Sequence, residues 1–147
     1  MKTLFQVSTR EEVMQRFRHL TRQHQARWGR MNAPRMVRHI TESVRMAVGD
    51  LHCRSKNSPL SWTPIKQIII YWLPFPRGAP TALELMQGDP GECEADLANL
   101  SQLVNRLAER ESATEWAAHP AFGPLTGRQW GVLSYRHADH HLRQFGV

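Results

Sequence analysis

The sequence predicts an all-α protein, a four-helix bundle with a long crossover between its second and third helices. Three observations predict it. Apolar residues recur at three- and four-residue steps in four separate segments, each segment opens on a helix start signal, and no stretch shows the alternation of a half-buried strand. Between the second and third segments, residues 54–88 hold Pro59, Pro64, Pro74, Pro76 and Pro80, and only Ile65 to about Leu73 suits a helix. A crossover of that length beside short links elsewhere fits a bundle that is not simply up-down-up-down.

The first helix is expected from Ser8-Thr9-Arg10-Glu11, where Ser8 can accept from the Glu11 amide and Glu11 can reach back. Its buried stripe is Val13, Phe17, Leu20 and His24, and it ends before Trp28-Gly29. The second starts at the N-cap Asn32 with Pro34 in its first turn, turns Met36, His39, Ile40, Ser43, Val44 and Ala47 inward, and reaches about Leu51. The third opens at Asp89-Pro90 with the stripe Leu97, Leu100, Val104 and Leu107, leaving Glu94, Asp96, Arg106 and Glu109 on the wet side. The fourth begins with a capping box at Thr126-Gly127-Arg128-Gln129 and runs almost to the C-terminus.

A chain of 147 residues is long enough for one compact domain, 1–147, with a core of its own. The apolar and charged fractions, 41% and 22%, are those of an ordinary globular protein. The longest apolar run, Ile68 to Leu73, is far short of the roughly 20 residues that span a bilayer, so no membrane partner is expected. The first residues read as no signal peptide, which points to the cytoplasm. In that reducing compartment Cys53 and Cys93, which lack metal-type spacing, are expected as free thiols. The formal charge of +6 is mostly arginine, scattered among acidic residues with no dense basic tract, so nucleic acid is not an expected partner. A homodimer is compatible with the sequence.

The chemistry concentrates in His137-Ala138-Asp139-His140-His141. At about 100° per residue, with His137 at zero, Trp130 falls near +20°, His141 near +40° and Leu133 near −40°, while His140 falls near −60° at the margin. Asp139 and Arg143 fall on the opposite side. His137 and His141 are thus one turn apart in the core-facing stripe, a spacing that lets two imidazoles converge on one ion. The second helix presents His39 inward as well. Trp28, Trp62, Trp116 and Trp130 read as core and pocket wall, and His19, His24 and His52 have no identifiable partner.

These residues carry a resemblance. Trp28-Gly29-Arg30-Met31-Asn32 with Met36-Val37-Arg38-His39, the segment Tyr71 to Gly78, the loop His119-Pro120-Ala121-Phe122-Gly123-Pro124-Leu125-Thr126, and the stretch His137 to Gly146 are similar to those of the DinB/YfiT-like superfamily of four-helix metalloenzymes. Within it the chain resembles the subgroup described as DUF1569, from about residue 10 to the end. The resemblance implies a bundle whose metal is held by one histidine of the second helix and two, four apart, of the last. The matching positions are His39, His137 and His141. At Glu42 the resemblance implies an aspartate more often.

Three neutral imidazoles leave the ion its double positive charge and an open position. Such a site polarises an oxygen or sulfur ligand, or lowers the pKa of a bound water or thiol. Zn²⁺ suits it, and Ni²⁺, Fe²⁺ and Mn²⁺ also accept imidazole. Glu42 and Gln144 are candidates to receive the second ring N–H of a ligand. His140 either borders the site as an acid–base group or caps the helix surface, and His119, in the loop before the last helix, can overhang the metal. The resemblance implies a metal-dependent enzyme acting on a small molecule, with a low-molecular-weight thiol as cosubstrate in S-transfer or isomerisation. Metal-assisted hydrolysis suits the same open site. The competing reading is a non-catalytic metal-binding or stress-related binding module, which a closed four-ligand site would favour.

Overall fold

The computed structural model describes residues 1–54, 58–78, 83–86 and 93–147, with Cys93 described by its backbone alone. Among these residues the protein is all-helical, with no strand: α1 (Val7–His19), α2 (Ala33–Val48), α3 (Thr63–Tyr71), α4 (Cys93–Glu109) and α5 (Gly127–Phe145). Short 3-10 turns lie at Pro59–Ser61 and Leu83–Met86. α2 packs on α4 and α5, α1 packs on the same two helices, and α3 lies against α5. Phe17, Met36, Leu100, Leu107, Trp130 and Leu142 are fully buried where these faces meet. No helix of the described residues is long and apolar enough to cross a membrane.

α1 begins one residue before the expected Ser8 cap. Its N-cap is Gln6, which makes no side-chain cap hydrogen bond to the helix amides. A tertiary anchor sets this start: Leu4 is 1% exposed, its amide donates to the Gly131 carbonyl, and Arg10 donates to the carbonyls of Leu4 and Phe5. The segment before the helix is thereby folded back over its first turn. α1 also stops early, at His19. Leu20 is extended and still buried, and His24 lies outside the helix, its Nδ1 accepting from the Thr21 amide at 3.0 Å.

Asn32 caps α2 as expected, accepting from the Arg35 amide at 3.0 Å with Pro34 in the first turn. The helix ends at Val48 rather than Leu51 because Gly49 turns left-handed (φ +93°), and Asp50 and Leu51 both donate back to the Arg45 carbonyl. The expected start of the next helix at Asp89-Pro90 lies outside the described residues. In α4, Leu100, Val104 and Leu107 are buried and Leu97 half-buried. Asp96, expected on the wet side, is 8% exposed, because Leu20, Ala33 and Val37 of the neighbouring segments close over it.

The capping box of α5 is formed in both directions, Gln129 N–H to Thr126 Oγ1 at 3.3 Å and Thr126 N–H to Gln129 Oε1 at 2.8 Å. α3 is the helix anticipated inside the crossover. Arg136 of α5 ties down its end, donating to the carbonyls of Ile69, Ile70 and Leu73. Trp62, expected in the core or pocket wall, is 66% exposed instead, since it precedes α3 on the outer surface. The Cys53 thiol is free, and the Cys93 side chain lies outside the described residues.

Candidate metal centre

α2 and α5 each turn a histidine-bearing face toward the other. The rings of His39, His137 and His141 form a nearly equilateral triangle, with centroids 4.9 Å (His39–His137), 5.0 Å (His39–His141) and 4.9 Å (His137–His141) apart. One nitrogen from each lies within 4.8 Å of the other two, a group that can hold a metal ion. The structure thus brings together three residues separated by up to 102 positions, the set that the resemblance implied and that their inward faces allowed.

Each ring is fixed through its other nitrogen. His39 Nδ1 donates to the Leu85 carbonyl at 3.3 Å, and His141 Nδ1 donates to Gln144 Oε1 at 2.7 Å. Both acceptors hold these rings in the tautomer with a bare Nε2. His137 Nδ1 meets the Ser43 hydroxyl at 3.0 Å, and its Nε2 lies 3.0 Å from His39 Nε2. With His39 Nε2 bare, that contact is a hydrogen bond when His137 carries its proton on Nε2. A hydroxyl can donate or accept, so Ser43 suits either tautomer of His137, including the one whose bare Nε2 would hold a metal. Two imidazole nitrogens at about 2.0–2.1 Å from one ion stand roughly 2.9–3.4 Å apart for angles between square and tetrahedral. The His39–His137 separation fits.

Glu42 does not play the part considered for it. Its carboxylate pairs with Arg38 and Arg45 at 3.0 Å each and is turned from the histidines. Ser43, one position on and one turn beyond His39, reaches His137 instead. Gln144 does receive the His141 Nδ1–H, and its own amide donates to the Trp28 carbonyl. Ser43 had a readable signal in its i+4 spacing from His39; the Leu85 carbonyl, within the proline-rich crossover, had none.

Burial holds all three imidazoles in the neutral, ligating form. It lowers the pKa of His39, takes His137 well below the ordinary value with help from His39 and His141, and brings His141 down to about 3 with help from His39. The unfolded chain takes up protons below about pH 6.5 that the folded site refuses. The stability of the metal-free protein is therefore whole above that pH and lost progressively as pH falls toward about 3. Thermal melts of metal-free protein should show a lower midpoint at pH 5 than at pH 7.5, and a smaller drop in His141→Ala. Equal drops would refute this assignment. Ser43→Ala should keep the fold and weaken metal binding by about 10–100-fold, read by chelator competition.

The triangle faces a cleft of about 960 Å³ lined also by Trp28, Phe75, Trp130 and Leu133. His140 and His119 line the cleft but stand outside the triangle. His140 packs beside His141 at 5.2 Å between Trp28 and Phe75. His119 shapes its loop: its Nδ1 accepts from the amides of Ala121 (3.1 Å) and Phe122 (3.3 Å), and its backbone exchanges hydrogen bonds with Gly123. Burial brings its pKa down to about 4, leaving a neutral ring with the proton on Nε2.

No curated protein and no solved structure matches the chain. A family model described as "Protein of unknown function (DUF1569)" matches residues 2–146. That match takes in both histidine-bearing helices and the loop between the cleft and α5, and the chain belongs to the DUF1569 family.

Proposed function

We propose that this protein binds one divalent metal ion through His39, His137 and His141 and uses it for chemistry on a small molecule, thiol S-transfer or a related isomerisation. One observation carries the reading: three imidazoles, each anchored through its second nitrogen, converge at the wall of a large cleft. A bound divalent ion supplies Lewis acidity toward an oxygen or sulfur donor. The chain does the rest. Leu85, Ser43 and Gln144 aim the ligands, and Phe75, Trp130 and Leu133 give the cleft apolar walls. His140 is the group beside the cluster that can move a proton, and His119, its Nδ1 engaged by backbone amides, shapes the rim.

The mutual packing of α1, α2, α4 and α5 supports reading the fold as a four-helix bundle of DinB/YfiT type, with α3 in the crossover and residues 1–147 as one domain. The cleft favours an enzyme over a binding module, which would need a closed coordination shell. Titrating cobalt-substituted protein with 2-mercaptoethanol tests the thiol reading. A sulfur-to-cobalt absorption band should grow to saturation; a spectrum unchanged at high thiol concentration would sink it.

A further inference from the structure

The cleft carries an uneven charge. Among the described residues that line it are Arg30 and Arg35, and no aspartate or glutamate. Arg77, between the lining residues Pro76 and Gly78, holds its guanidinium 4.3 Å over the ring of Trp28. Elsewhere acids meet the arginines: Asp139 pairs with Arg16 and Arg143, Glu42 with Arg38 and Arg45, and Asp50 with Arg106. Arg30, Arg35 and Arg77 have no carboxylate partner among the described residues. Arg35 gives one N–H to the Met86 carbonyl at 3.2 Å, which steadies the guanidinium and leaves its remaining donors.

Position along α2 relates this charge to the histidines. Arg35 precedes His39 by one turn on the same helical face, a rise of about 6 Å. Arg30 and Arg35 are exposed while His39 and His141 are buried and His137 half-buried, so the arginines mark the mouth and the histidines lie deeper. The rest of the lining is largely apolar, with Leu60, Ile69, Phe75 and Leu133. Neutral imidazoles would not cancel the charge of an ion at the histidines. Such a cleft attracts anions, resists cations and shelters an apolar body.

We propose that the ligand of this cleft is a small organic carboxylate with an apolar body, its acid group held at the mouth by Arg35 and Arg30 and its reactive end directed to the histidines. Only the place of the reactive end rests on the metal-centre reading; the anchor rests on the arginines. A planar guanidinium fork matches a carboxylate with two parallel hydrogen bonds, which neither an alcohol nor an amine can reproduce.

Calorimetric titration of the full chain, zinc-loaded and metal-free, with phenylbutyrate, phenylbutanol and phenylbutylamine tests the anchor. The acid should bind about tenfold or more tighter than the alcohol, and the amine weakest. Arg30→Gln/Arg35→Gln should bring the acid to the level of the alcohol, with metal content and thermal midpoint unchanged. The preference should persist after metal removal. Equal affinities, a preference that survives in the double variant or vanishes with the metal, or no measurable binding of the acid at millimolar concentration would overturn the proposal. A chain that carries no ion yet prefers the acid supports the anchor and removes only the metal centre.

Discussion

His137→Ala is expected to yield a folded protein that has lost the ability to retain a divalent ion. His137 is half-buried on the cleft wall, so truncation opens space toward the cleft rather than emptying the core. It removes one corner of the histidine triangle and frees the Ser43 hydroxyl from its hydrogen bond with His137 Nδ1. Losing a hydrogen bond behind a ligand already costs about 10–100-fold in metal affinity, so losing the ligand itself should exceed about 100-fold. Elemental analysis after dialysis against a weak chelator reads the loss, and far-ultraviolet circular dichroism shows whether the helices persist. Full metal retention would remove His137 from the centre.

Gly29→Ala should damage stability and metal binding together, although residue 29 touches no ligand. Gly29 is left-handed at φ +81°, where an L side chain is strained, and an added Cβ would fall 2.7 Å from Gln144 Nε2. Gln144 is the group that receives His141 Nδ1–H while donating to the Trp28 carbonyl. Pushing it aside releases the ring orientation of His141. The expected cost is about 1–3 kcal/mol in stability and about 10–100-fold in metal affinity. Gly49→Ala is the control: it is equally left-handed at φ +93°, but an added Cβ meets nothing within 4 Å. It should lower the thermal midpoint and leave the metal affinity unchanged. A similar affinity loss in both variants would show that general destabilisation, and not Gln144, transmits the effect.

The legible parts of this protein were those set by local chemistry or helical periodicity. Asn32 with Pro34 and the Thr126–Gln129 box announce the starts of α2 and α5, and both caps form as the side chains require. Facial spacing separated His141 from His140 and turned His39 inward, the family resemblance supplied His39 as the third member, and the three rings lie together. The illegible parts depend on distant chain. Ser8 has the right local pattern for a cap, yet the Leu4 and Arg10 anchors move the start of α1. Asp96 has a polar side chain on what reads as a wet face, and only the approach of α2 and the end of α1 buries it. Glu42 lies on the buried face of α2 near His39, but two arginines compete for it successfully. The Leu85 carbonyl could not be read at all, because a main-chain acceptor carries no residue signature.

On the proposed reading, His39, His137 and His141 together bind one divalent ion through their imidazoles. Metal-edge X-ray absorption, on protein purified without an affinity tag and analysed for metal content, measures this most directly. The proposed centre predicts about one ion per chain, with three nitrogen neighbours at about 2.0–2.1 Å that show imidazole ring scattering. A chain without stoichiometric metal, or a shell dominated by sulfur or by carboxylate oxygen, would contradict it.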